Sequence, residues 1–188
     1  MKRTKRIICC LVLVCAAAAA VTAGVRIAGD KADTGNAAFS INGEAVPRED
    51  FDTYLTLMKQ ADPELEDSEI KDRYIRLCVT VQEAERRGLS ASEDEIDELN
   101  AGRFALLEED GEAYRIIKDY ADSRGLTMDE YIEMSRTVSE QALITDKLKE
   151  AVEEEFLSSR EAEDAEMTAE EYYDRYIDGL VSQADIEE

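Results

Sequence analysis

The sequence predicts an all-α, mainly helical domain, and three observations lead to this class. Apolar residues recur at three- and four-residue spacing through most of the chain beyond residue 47, which is the period of an amphipathic helix. Only residues 39–42 have the pattern of a strand, and Asn42-Gly43 gives a turn signal at their end. Capping boxes, in which a Ser or Thr precedes a Glu by three positions, mark three helix starts: Ser92 and Glu95, Thr127 and Glu130, and Thr168 and Glu171.

Proline and glycine residues set the bounds of the first two predicted helices. Pro47 is typical of a first helical position, so the first helix is expected over residues 47–60. The second helix starts either at Asp62-Pro63 or at Ser68, and the sequence does not choose between them. Gly88 ends this helix, because glycine is favoured just after a helix C-terminus.

The remaining helices are predicted from the capping boxes. The third begins at the first box and breaks near Gly102 or Gly111, and the fourth stops at Gly125. The longest helix begins at the second box and keeps one apolar face as far as Phe156. An acidic linker over residues 157–167 precedes the last helix, which begins at the third box.

The N-terminus has the pattern of an export signal. Four of the first six residues are basic, and residues 7–25 contain no charge. Val21 and Ala23 place small residues at the −3 and −1 positions of a signal-peptidase site, which would leave Gly24 as the mature N-terminus. The uncharged stretch is also long enough to span a bilayer, so an uncleaved anchor with its basic end in the cytoplasm is the alternative.

The chain is therefore divided into a signal peptide or membrane anchor over residues 1–25, a flexible tether over residues 26–36 and a helical domain over residues 37–188. The predicted location is extracytoplasmic, either secreted or anchored to the cytoplasmic membrane. Three of the four cysteines lie in the first segment, and none follows the small residue that a lipid-modified cysteine requires. Cys78 is alone in the exported part, and its position on an apolar helix face indicates a core residue.

Composition excludes several classes of function. The chain carries 45 acidic and 22 basic residues and a net charge of −23, so nucleic acid is an unfavourable partner, and a membrane is expected to contact only the N-terminal segment. The absence of histidine excludes Ser-His-Asp and Cys-His nucleophile systems and histidine-containing zinc sites. The acidic runs that end in glycine lack the ligand spacing of an EF-hand loop. We therefore predict no catalytic residues, no metal site and no cofactor.

Several short motifs occur in a characteristic order. Together they resemble the N-terminal chaperone domain of the SurA and PrsA family of exported foldases, and more distantly the client-binding region of trigger factor. The resemblance covers residues 39–188. The motifs are Ile41-Asn42-Gly43-Glu44, Pro47-Arg48-Glu49-Asp50-Phe51, Glu83-Ala84-Glu85-Arg86-Arg87-Gly88-Leu89, Gly125-Leu126-Thr127 with Glu130-Tyr131, and Ile144-Thr145-Asp146-Lys147-Leu148.

This resemblance implies a SurA N-terminal-like fold in which the two ends of the domain meet. Residues 184–187 would pair with residues 39–41 as a short two-stranded β clasp, and the last helix would pack on the first. Members of the family often carry a parvulin prolyl isomerase domain before the returning helix. The linker at residues 157–167 stands in its place here, so we expect neither the isomerase domain nor isomerase activity.

The implied function is an ATP-independent extracytoplasmic chaperone, or holdase, that binds unfolded or partly folded exported polypeptides. A non-enzymatic, membrane-associated interaction module dedicated to one partner is the alternative, and a prolyl isomerase ranks third. Flexible Met and broad aromatic side chains suit varied clients, although the same helical spacing is typical of a core. The candidate client-binding residues are Tyr54, Met58, Met128, Tyr131, Met134 and Tyr172.

Overall fold

The computed structural model describes residues 36–159 and 167–188, and 74% of this part is helical. The predicted mainly helical class is confirmed. The predicted signal segment, the tether up to residue 35 and residues 160–166 of the predicted linker lie outside the described residues. The elements are β1 (Ala37–Ile41), β2 (Glu44–Pro47), α1 (Arg48–Ala61), α2 (Asp67–Arg86), α3 (Glu93–Glu109), α4 (Gly111–Ser123), α5 (Met128–Met134), α6 (Arg136–Ser158), α7 (Ala169–Gln183) and β3 (Ile186–Glu187).

A small antiparallel sheet joins the two ends of the domain, in the strand order β2-β1-β3. Ser40 pairs with Glu187 and Ile41 with Ile186, so the two ends of the domain meet where the clasp was predicted. The sheet has three strands rather than the two of the predicted clasp, since β2 was not predicted and Pro47 was expected to begin the first helix. Pro47 instead has an extended backbone (φ −57°, ψ 134°) and ends β2, an edge strand where a missing N–H is tolerated.

The three predicted capping boxes are all present, and each contains both reciprocal hydrogen bonds. The second helix begins at Asp67, one residue before Ser68, the later of its two expected starts. The third helix continues through Gly102 and ends at Glu109, so the alternative break near Gly111 is confirmed and the one near Gly102 was wrong. Gly88 and Gly125 follow helix ends with positive φ values of 73° and 72°, as expected of glycine in this position.

The predicted longest helix is in fact two helices, α5 and α6, which meet at Ser135. The Ser135 hydroxyl donates to the Tyr131 carbonyl (2.8 Å), a side-chain bond that bends helices. The Asn100 amide of α3 donates to the Ile132 carbonyl (3.0 Å), which occupies an acceptor of the helical ladder. Asn100 is distant in sequence, so the apolar period alone gave no sign of this break.

The resemblance implied that the last helix packs on α1. In the structure it packs on α2 and α6 instead. Its buried Ile177 belongs to a cluster with residues of α2 and α6, including Val81 and Leu148. The apolar face of α1, which contains Tyr54 and Met58, packs instead on residues of β1 and α2. The strands and α2 therefore cover the face of α1 that was expected to receive α7.

Candidate functional site

The buried side chains form a larger body and a smaller arm. In the body, one cluster joins β1, α1 and α2, and a second joins α2, α6 and α7. Leu77, Leu180 and Val181 contact both clusters, so the body is continuous. The arm, residues 104–134, has its own cluster of Leu107, Ile117, Ala121 and Tyr131.

Tyr131 is the centre of the arm cluster, with no exposed surface. Its ring meets those of Phe104 and Tyr120 edge to face, with centroid distances of 6.2 and 6.1 Å. Met128 and Met134 are only partly buried and pack around this aromatic centre. The arm therefore has a buried aromatic interior and a partly accessible periphery that contains two methionines.

The six candidate client-binding residues do not share one surface. Tyr54 and Met58 are buried in the body (6% and 1% exposed), and Tyr131 is buried in the arm. Tyr172 is half-buried on α7, where its ring stacks on Phe156 at a centroid distance of 4.7 Å. The structure thus brings together Met128, Tyr131 and Met134 in the arm, and Tyr54 and Met58 in the interior of the body. The three buried residues offer no surface to a client in the folded domain, because helical spacing is the same for a core and for a groove.

Other apolar residues of the arm were missed as candidates. Phe104, Tyr120 and Leu126 lie partly buried against the same cluster as the two methionines. Leu106, next to the buried Leu107, is 57% exposed. The apolar spacing of α3 was weak in the sequence, so it gave little signal for Phe104 and Leu106. We refer to the partly buried residues Phe104, Tyr120, Leu126, Met128 and Met134 as the arm surface.

The arm meets α1 through polar groups. The Arg124 guanidinium lies over the Tyr120 ring, 5.6 Å from its centroid, and donates to the Thr53 hydroxyl (3.3 Å). It also lies 4.0 Å from the Glu49 carboxylate. The residues around this contact line an open polar cleft: Asn36, Arg48, Glu49, Asp52, Thr53, Thr56 and Arg124. Exposed ion pairs contribute little free energy, so this contact holds the arm to α1 only weakly.

An ion network ties the body together where α2, α6 and α7 meet. The Glu83 carboxylate is 6% exposed and accepts hydrogen bonds from Arg86 (2.6 and 2.8 Å), Arg87 (2.8 Å) and the Tyr176 hydroxyl. Arg87 also bonds Tyr176 (2.9 Å) and Glu155 (2.8 Å). Hydrogen bonds from Arg86, Tyr176 and Arg87 lower the pKa of Glu83 to about 2. All these groups have protein partners, so the network has a structural role.

Within residues 36–159 and 167–188, no group of cysteine, aspartate and glutamate side chains is arranged to hold a metal ion. No helix in the same ranges is long and apolar enough to cross a membrane. Comparison of the chain with models of protein families, with curated proteins and with solved structures gave no match. The functional argument therefore depends on the residues of this chain alone.

Proposed function

We propose that this protein is an ATP-independent extracytoplasmic chaperone of the holdase type, which binds unfolded or partly folded exported polypeptides at the arm surface. The observation that carries the proposal is the arm surface itself. Its two methionines, its phenylalanine and its leucine are only partly covered, and they surround an aromatic centre on a small unit beside the body. A SurA-type N-terminal domain remains our proposal for the fold family, supported by the order of the motifs and by the pairing of β1 with β3.

The chemistry of the arm surface suits transient binding of varied apolar segments. Methionine has three rotatable side-chain bonds and a polarizable sulfur, so it adapts to partners of different shape. Met128 lies in the first turn of α5 and Met134 at its last residue. The surface can therefore contact a client along the whole length of this short helix. Such binding requires no nucleotide and no bond making.

We propose no enzymatic activity and no nucleic-acid partner, since the full sequence has no histidine and is strongly acidic. The proposed location outside the cytoplasm, with a membrane contacted only through the N-terminal segment, depends on the signal-like pattern of residues 1–25.

A dedicated interaction module is the second candidate. Leu106 and Leu157 are large, well-exposed apolar residues on α3 and α6, at 57% and 67% exposure. Contact with one fixed partner would remove the apolar surface of these leucines from water. The two functions differ in the range of clients that they bind.

Aggregation of an unfolding model client, followed by light scattering, tests the proposal. The full-length protein is expected to suppress scattering at near-stoichiometric amounts. Met128→Gln combined with Met134→Gln preserves side-chain length and is expected to weaken suppression several-fold. Leu157→Gln is the matched control, because it removes a more exposed apolar side chain outside the arm, and it should retain full suppression.

Each result bears on one of the two functions. If Leu157→Gln weakens suppression as much as the methionine variant does, client binding does not take place specifically at the arm surface. If the wild-type protein does not reduce the light scattering of the client, the holdase function is contradicted and the dedicated interaction module is favoured. Thermal melts of both variants identify any loss that comes from unfolding.

A further inference from the structure

A buried carboxyl group lies in the first turn of α1 and has no role in the proposed binding surface. Asp50 is 1% exposed, and its Oδ2 atom has no hydrogen-bond partner. An acid at this third helical position normally accepts a bond from the backbone N–H of the N-cap residue. The N-cap here is Pro47, which has no N–H. The backbone N–H that such a carboxylate usually accepts from is therefore absent at this helix start.

The groups that face Asp50 do not compensate for its charge. On α1 itself the neighbouring charge is Glu49, which is also negative. From α2, Tyr74 and Cys78 lie close enough for the Asp50 charge to raise the pKa of both. From β2, Glu44 acts on Cys78 in the same direction. β1 contributes no titratable side chain.

The basic side chains of α1 and α2 closest in sequence to Asp50 and Tyr74 have partners of their own. Lys71 lies over the Phe39 ring at 5.0 Å and pairs with Glu188 at 2.7 Å. Arg73 pairs with Glu69 at 2.6 Å, and Arg48 donates to the Ala37 carbonyl at 3.1 Å. An ionised Asp50 is consequently a buried negative charge without compensation, which is unfavourable in the folded domain.

We propose that Asp50 is a proton-controlled latch, whose neutral carboxyl keeps α1 docked on β1 and α2 and whose ionised form loosens this docking. The opening exposes Tyr54 and Met58, which are buried on the docked face of α1. These are two of the residues that the sequence predicts to bind clients, so the consequence of opening for clients rests on the proposed function. The opening itself does not depend on it.

The direction of the effect follows from proton linkage. Burial raises the pKa of Asp50 to about 7, from 3.8 for an ordinary aspartate, and the charge of Glu49 adds to this. The docked form therefore binds the proton more tightly than the open form. Docking is strongest below pH 3.8, and the open fraction rises about tenfold per pH unit until it levels off above pH 7.

The thiol of Cys78 is a natural probe of this opening. Cys78 is partly buried in the same cluster as Tyr54 and Met58, and burial raises its pKa to about 12. We would treat the full-length protein, without client, with a thiol reagent from pH 5 to pH 8 and follow the Cys78 peptide by mass spectrometry. Asp50→Asn keeps the shape of the side chain but cannot ionise, so its labelling rate corrects for the reactivity of the thiol.

The wild-type rate divided by the Asp50→Asn rate is expected to rise about tenfold per unit from pH 5 to pH 7 and then level off. A ratio that stays constant over this range would overturn the latch. Glu49→Gln is the second variant and serves if Asp50→Asn does not fold. It is expected to move the levelling point of the labelling curve to lower pH, and an unmoved curve would also overturn the proposal. Because no client is present, these outcomes are independent of the holdase test.

Discussion

The body and the arm differ in how far apart in sequence their contacting residues lie. The body joins the two ends of the described domain, because β1 pairs with β3 and α7 packs on α2 and α6. The arm cluster comes from residues that follow one another between Leu107 and Tyr131. Loss of one end should therefore disrupt the whole body, whereas a change in the arm can remain local.

Their polar contacts differ in the same way. The body network around Glu83 connects three helices through a nearly buried carboxylate. The arm is attached to α6 through Asn100, which bonds both the Ile132 carbonyl (3.0 Å) and the buried Ser139 hydroxyl (3.2 Å). These bonds lie beside the helix break at Ser135, so the arm connects to the body at a bend. We expect the arm to open at lower cost than the body.

The largest expected effect comes from truncation after Met167, which removes α7 and β3. Ile177 is 1% exposed, and several partly buried side chains of α7 pack around it. Burial of each large apolar side chain contributes about 1.5–3 kcal/mol, against roughly 5–15 kcal/mol for a whole domain. We expect the truncated chain to lose its cooperative thermal transition in circular dichroism. A melting temperature within a few degrees of full length would show that the body does not depend on this end.

A matched pair of isoleucines compares the two regions directly. Ile177 in the body and Ile117 in the arm are 1% and 3% exposed, so Ile→Ala removes nearly the same buried surface from each. We expect either change to cost about 2–5 kcal/mol at its own site. Ile177→Ala should lower the global free energy of unfolding, whereas Ile117→Ala should accelerate hydrogen exchange only in α4 and α5. Equal exchange throughout both variants would show that the arm and the body unfold together.

The Glu83 network gives a smaller effect with a defined pH dependence. Glu83→Gln should lower the free energy of unfolding by roughly 1–3 kcal/mol, because it weakens hydrogen bonds to charged partners. The pKa of Glu83 is lowered to about 2 from 4.5, so its contribution is complete above pH 4.5 and is lost as the pH falls towards 2. Denaturation curves at pH 6 and pH 3 measure this loss. Glu154→Gln, at an exposed position of α6, is the control and should leave both curves unchanged.

The smallest expected effect is the loss of a helix cap. Thr168→Ala and Thr127→Ala each remove the side chain that accepts a bond from the N–H three residues ahead, at α7 and α5 respectively. Such a change typically costs about 1 kcal/mol. We expect Thr168→Ala to lower the melting temperature of the whole domain and Thr127→Ala to affect exchange in α5 alone. A local effect of Thr168→Ala together with a global effect of Thr127→Ala would show that the arm, and not the body, controls the stability of the domain.

Local signals in the sequence were sufficient for the helical class and for the three helix starts that carry capping boxes. The boxes at Ser92, Thr127 and Thr168 depend on residues three positions apart, so they could be identified without any knowledge of packing. Asn42-Gly43 likewise indicated the turn, and both residues have the positive φ values that it requires (54° and 81°). The meeting of residues 39–41 with the chain end was expected from the resemblance, and that pairing is present.

The candidate surface was the part that local signals could not decide. Tyr54, Met58 and Met134 share the same helical spacing, yet two of them are buried in the body and the third lies on the arm surface. Periodicity identifies which face of a helix is apolar, but not whether another element covers that face.

The sequence by itself therefore determined the helical class, the capped helix starts and the absence of histidine chemistry, because each depends on composition or on residues close together in the chain. Only the tertiary structure decided that α7 packs on α2 and α6, that Asn100 reaches the bend at Ser135 and that the Oδ2 atom of Asp50 is buried without a hydrogen-bond partner. These three features depend on contacts between distant residues. The free energy of these contacts depends on which surfaces are buried together in the folded domain. The residues of a single segment do not specify which distant segment will cover them.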